Sequence, residues 1–233
     1  MTILKKDKRK RKHQWPASLV SSFPLVTTNM SLPEEIWTVQ SYIEIFSDGC
    51  PNHLRPTMCS HCQAEVMLHK HGSFKRTVYT LLDRFSIPIF RFICPINTCK
   101  RTISLVPNFV MEHHQVAWEV KEEVILQQLS GVALAKISED LETSAGKFSE
   151  KTLWRWSKAI RVELRDSSSE VWRVILEKLP HVEIPVGPSK PDREWAWLFK
   201  TWEQVRTMIP GYSNIGLLNL LYQIKRSRVV ADG

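Results

Sequence analysis

No part of the 233-residue chain keeps an apolar run of about 18 residues, the length that crosses a bilayer, so no membrane span is expected. The first residues, MTILKKDKRKRKHQWP, carry charge without a following apolar h-region, which argues against a secretory signal. No internal repeat is visible. Cysteine is scarce and odd in number: Cys50, Cys59, Cys62, Cys94 and Cys99. With no signal peptide, that count disfavours a disulfide framework and points to reduced thiols in a cytoplasmic, nucleoid-associated protein. The H-E-x-x-H order of a metalloprotease is also missing. His113 and His114 in MEHHQ therefore read as an exposed polar helix start.

Hydrophobic residues make up 43% of the chain, enough for a true core. Lysine and arginine exceed acidic residues by 32 to 24, a balance of +8 that suits an anionic partner, nucleic acid first. Seven of the eight residues from Lys5 to Lys12 are cationic, a run that repels itself and can lie along phosphates. Four segments follow from changes in texture: a basic disordered arm (1–30), a cysteine-bearing β-module (31–110), a trihelical unit (111–166) and a helical tail with a Pro-rich linker (167–233). Pro33, followed by Glu34 and Glu35, marks a possible helix start.

The cysteines fall into pairs. Cys59 and Cys62 are spaced C-x2-C, and Cys94 and Cys99 are spaced C-x4-C. Between and after them, RTVYTLL (76–82), IPIFRFI (87–93) and RTISLV (101–106) are rich in β-branched and aromatic residues and predict strands. Four thiolates at about 2.3 Å complete a closed tetrahedral zinc site, so Cys59, Cys62, Cys94 and Cys99 are the expected Zn2+ ligands, with a structural role. The 31 residues between Cys62 and Cys94 exceed the usual spacing and imply a long hairpin with turns near Gly72 and Asp83. An iron–sulfur cluster and a redox C-x-x-C are the alternatives, the second disfavoured because no βαβ pattern surrounds the motif. His61 reads as a bystander and Cys50 as a free thiol. His69, His71 or Cys50 are substitutes should one ligand be unused.

Helical spacing takes over at Val116. Helices are expected at 117–130, 132–142 and 149–164, with Ser149 as N-cap of the third and Phe148 stapled to Leu153. On the third helix Leu153, Trp156, Ile160 and Leu164 form an inward stripe, while Lys151, Arg155 and Lys158 share the opposite face with Arg165 nearby. Cations on the free face of a third helix suit a major groove. The expected DNA contacts are Lys151, Thr152, Arg155, Lys158 and Arg165, with Lys100 and Arg101 beside the second cysteine pair. Trp154 lies beside the stripe, with packing on the first helix expected and a sugar-phosphate contact as the alternative. In the tail, four prolines between 179 and 192 mark a linker. REWAWLFKTWEQVRTM and IGLLNLLYQIKRSR predict two more helices.

Cys99-Lys100-Arg101-Thr102-Ile103-Ser104, together with SEKTLWRW further on, resembles the N-terminal half of bacterial insertion-sequence transposases, in which a zinc ribbon precedes a helix-turn-helix. It is closer still to the small zinc-ribbon proteins of unassigned function that accompany integrase-type transposases. The likeness covers residues 40 to 165, with Ile103 standing where the transposase pattern has Phe. It implies an α+β chain, a zinc ribbon followed by a helix-turn-helix-like unit. It also implies a non-catalytic zinc-dependent DNA-binding protein linked to a mobile element, with a transposase as possible partner. A transposase or truncated transposase, and a transcriptional regulator or protein-interaction module, are the competing expectations. Glu177, Glu183, Asp192 and Glu203 read as surface charges, because no strand series follows Arg165 on which carboxylates could be set for two-metal chemistry.

Overall fold

The computed structural model describes residues 38–184 and 190–231; the basic arm, the Pro33 helix start and the middle of the Pro-rich linker lie outside them. The chain is mixed helix and a small three-stranded antiparallel sheet of order β1-β2-β3, an α+β arrangement. Helix α1 (Val39–Phe46) begins with a capping box between Thr38 and Ser41. It lays Tyr42 and Phe46 on the sheet, where the Tyr42 hydroxyl donates to the Pro88 carbonyl at 2.6 Å.

Strands β1 (His69–Tyr79) and β2 (Arg84–Ile93) form a long hairpin; β3 (Thr102–Leu105) pairs only with Phe90–Ile93. Beyond Phe90 the β3 side of β2 is open, which is why Pro88, with no N–H to give, is tolerated there. The turn near Asp83 forms as expected: the Thr80 N–H and hydroxyl both donate to the Asp83 carbonyl. The expected turn at Gly72 does not. Gly72 sits within β1 at φ +109°, where the register shifts between Lys70 and Gly72. A glycine inside a strand has made a bulge rather than a reversal.

Helices α2 (Trp118–Leu129), α3 (Leu134–Asp140) and α4 (Glu150–Lys178) follow. Val124, Ile137, Leu141 and Leu153 form their small shared core, with Phe148 against Trp156 at a ring separation of 4.8 Å. The third helix does not stop at 164. It runs on to Lys178, because Ser167, Val171, Trp172 and Ile175 continue the buried face. That face meets α5 (Pro191–Val205) and α6 (Leu217–Ala231) in an extended helical core. The 166/167 boundary thus lies inside one helix, and the tail helices pack on the same α2–α4 frame. Trp195 and Trp202 are buried there, Trp202 donating to the Ile215 carbonyl at 2.8 Å, while Trp197 is exposed.

The sheet and the helices meet at the β1–β2 turn. Ser144, in the α3–α4 loop, donates from its N–H and its hydroxyl to the Thr80 carbonyl and accepts the Thr80 N–H at 3.0 Å. The Leu81 N–H donates to Glu119 at 3.0 Å, and the Ala117 N–H to the Tyr79 carbonyl at 2.9 Å. The loop from α3 to α4 spans residues 141–149, longer than the six residues the sequence suggested, and its length lets it reach this turn.

Candidate metal centre and the basic helix face

Cys59, Cys62, Cys94 and Cys99 converge, every Sγ within 4.8 Å of the others. The Cys59–Cys99 and Cys62–Cys94 sulfurs are each 3.7 Å apart. A disulfide needs about 2.0 Å. Four thiolates at about 2.3 Å from one tetrahedral ion stand about 3.8 Å apart along each edge. The donor set and its spacing therefore fit a closed four-sulfur metal site. Among the described residues no histidine joins the group, and Cys50 stays apart as a buried thiol whose Sγ faces the Pro51 carbonyl at 3.6 Å.

Two turns of the same shape deliver these sulfurs. In the first, the Gln63 N–H donates to the Cys59 carbonyl at 2.8 Å; in the second, the Lys100 N–H donates to the Ile96 carbonyl at 3.0 Å. Each turn closes on a residue with positive φ directly after its second cysteine, Gln63 at +56° and Lys100 at +48°. The second turn thus starts at Ile96, not at Cys94. Cys94 comes from the end of β2, its N–H held by the Arg101 carbonyl at 3.0 Å, and this explains the C-x4-C spacing. Neither Gln63 nor Lys100 carries a sequence signal for the left-handed region, which glycine usually occupies.

Cys59 and Cys94 are shifted in opposite directions. Burial pushes Cys94 up to about 12, and the neighbouring thiols push the same way. Cys59 settles at about 7: burial raises it, but the hydrogen bonds from the Cys62 and His61 backbone and from the Cys62 and Cys99 thiols outweigh that. A bound cation would stabilise all four thiolates at the cost of released protons, so occupancy falls with acid.

The predicted cations fall into two groups. Lys151, Arg155 and Lys158 lie exposed on the first turns of α4, and none forms an ion pair among the described residues. Trp154 belongs to neither of the helical cores. It is 52% exposed, with the Lys158 ammonium 5.3 Å from its ring centre. Thr152 is engaged in the cap, its N–H bonded to the Ser149 hydroxyl at 3.3 Å. Further along, Arg161 pairs with Asp192, Arg165 with Asp166 and Arg173 with Glu170 and Glu177. Lys100 and Arg101, also exposed, follow the second cysteine turn. Ten residue steps of β1 separate that end of the hairpin from the end docked on the helices, roughly 30 Å.

Glu177, Asp192 and Glu203 each pair with an arginine, and Glu183 is exposed. No helix among the described residues is long and apolar enough to cross a membrane. No family model, curated protein or solved structure matches the chain.

Proposed function

We propose that the chain is a non-catalytic, zinc-dependent DNA-binding protein. The observation that carries this reading is the division of α4. Its first three turns present Lys151, Arg155 and Lys158 with no ion pair among the described residues, beside an exposed tryptophan, whereas Arg161, Arg165 and Arg173 further along are each paired with a carboxylate. Unneutralised cations on an exposed helix face favour phosphate and base-edge contacts. The four thiolates are read as a zinc ribbon, since sulfur ligands favour soft ions such as zinc over magnesium or calcium, and four of them leave no open position for water or substrate. In this reading α2, α3 and α4 act as a helix-turn-helix-like unit with α4 in the groove. The basic N-terminal arm adds phosphate contacts. Association with a mobile element rests on the resemblance around residues 94–107 alone, and a transposase is the partner that resemblance suggests.

The test is binding of the metal-loaded chain to duplex DNA across a salt series, followed by site selection from a random duplex pool. A steep loss of affinity with salt and an enriched sequence support the reading. Equal affinity for wild type and an Arg155→Ala, Lys158→Ala double variant would remove α4 from it.

A further inference from the structure

A second site lies away from both the cysteines and the basic face. Between α2, α4 and α6 there is a cavity of about 180 Å3 whose lining includes Trp118, Lys121, Trp156, Ile160, Leu221 and Tyr222. Its walls are aromatic and aliphatic, yet one of them supplies an ammonium. Lys121 is 4% exposed and forms no ion pair among the described residues. Its Nζ lies 4.6 Å from the centre of the Trp118 ring and 5.9 Å from that of Trp156, and its polar neighbour is His114 Nδ1 at 3.4 Å.

The surroundings do not answer this charge. Glu163, also at the cavity, is engaged by Lys225 at 2.5 Å. Arg76 donates to the carbonyls of Met111 and His114, adding a further cation behind the histidine. A second group is left over as well: the indole Nε1–H of Trp118, itself 92% buried, has no hydrogen-bond partner. A buried lysine without a carboxylate is expensive, and a buried donor without an acceptor adds to the cost. Burial alone brings Lys121 down to about 8, and His114 is held below its usual value by burial and by Lys121, Arg76 and His113. The first shift reports burial, and the second burial together with neighbouring cations.

We propose that this cavity is a binding site for a small organic anion, a compact aromatic or similarly planar carboxylate, whose ring lies among Trp118, Trp156 and Tyr222 and whose carboxylate meets Lys121. The size agrees: a cavity of about 150 Å3 lined by apolar side chains holds benzene. The ring takes the place of solvent against aromatic walls, and the carboxylate supplies the negative charge that no ion pair among the described residues gives Lys121. Because α2, α4 and α6 all wall the cavity, the ligand would join the tail to the helix that carries the basic face. This site stands whether or not the chain binds DNA.

The probe is benzoate, with benzyl alcohol as its neutral counterpart and benzylamine as its cationic one. Each is titrated into the full metal-loaded chain, and the indole N–H resonance of Trp118, assigned with Trp118→Phe, is followed by NMR. Benzoate should bind at least tenfold more tightly than either control, and Lys121→Met should abolish that preference. The proposal is overturned if benzoate shows no preference over benzyl alcohol in the wild-type chain, a comparison that needs no variant to fold. It is equally overturned if folded Lys121→Met keeps the preference.

Discussion

Glu122 reaches across Gly216 to accept the N–H groups of Leu217 at 3.2 Å and Leu218 at 2.9 Å, so a side chain of α2 caps the first turn of α6. The four leading N–H groups of a helix need such acceptors, and a carboxylate there also meets the positive end of the helix dipole. Gly216 is the opening that permits it. A Cβ at that position would stand 2.5 Å from the Glu122 carboxylate. Gly216→Ala is expected to displace the cap and cost about 1–3 kcal/mol, the scale of an unsatisfied buried donor. Urea denaturation would show it as a lower midpoint with unchanged slope.

The same carboxylate makes stability depend on pH. Burial raises Glu122 to about 7, against the pull of the two N–H groups and Arg206 in the opposite direction. Its folded-state value therefore lies above the unfolded one, and the folded chain holds more protons between about 4.3 and 7. The contribution from this group is full below the unfolded value and is lost as pH rises through the folded one. Glu122→Gln removes the titration while keeping one acceptor. The stability difference between wild type and Glu122→Gln, measured at matched pH, should move in favour of the variant by up to about 3 kcal/mol from pH 5 to pH 8. A difference that stays flat over that range would mean the carboxylate is not shielded as described.

The sequence disclosed the four cysteines, the three strands and most helices because each leaves a local period or spacing. What it hid is tertiary. The serines at 167, 168 and 169 are indifferent helix formers, and only packing of Val171, Trp172 and Ile175 on the tail carries α4 through them. Gly72 looked like a turn because a bulge and a reversal use the same residue. The C-x4-C spacing looked irregular because one sulfur comes from a strand end and only the other from a turn. The Glu122–Gly216 contact joins residues far apart in the chain, and nothing local announces it.

At the cysteine site, metal analysis of the purified chain should give one ion per chain. Cys62→Ser should lose it, since a hydroxyl is a poor ligand for a soft site. Structural four-thiolate sites supply on the order of 10 kcal/mol to folding. Amide exchange across β1–β3 should therefore accelerate sharply in the variant, while Cys50→Ser keeps both the ion and the protection. Metal retained by Cys62→Ser would break the four-ligand assignment.

The two turns invite a gentler change. Gln63 and Lys100 occupy the left-handed region, where a side chain costs about 1 kcal/mol and glycine does not. Gln63→Gly is expected to leave metal content intact and to hold or raise stability by up to about 1 kcal/mol. The same change at Thr98, outside the left-handed region, should lower stability. Thermal melting of the two variants side by side distinguishes a turn strained as described from one that merely tolerates any residue.

The division of α4 makes the last prediction quantitative. Lys151 and Lys158 have no ion pair among the described residues, whereas the Arg165 guanidinium lies 2.9 Å from Asp166. If the helix face neutralises phosphates, each contact removed lowers the slope of log affinity against log salt by about 0.9. Lys151→Ala and Lys158→Ala should each show that loss, and Arg165→Ala a clearly smaller one, because its charge is already partly answered. Arg155→Ala should behave differently again: if it reads a base edge it weakens a selected site by about 1–3 kcal/mol and relaxes preference at one position, with little change for random duplex. Lys100→Ala and Arg101→Ala report on the other end of the hairpin. Should they also lower the salt slope, the bound duplex must extend roughly 30 Å from the helices, or nearly a full turn of DNA. Should they have no effect, the metal centre shapes the protein without touching the nucleic acid.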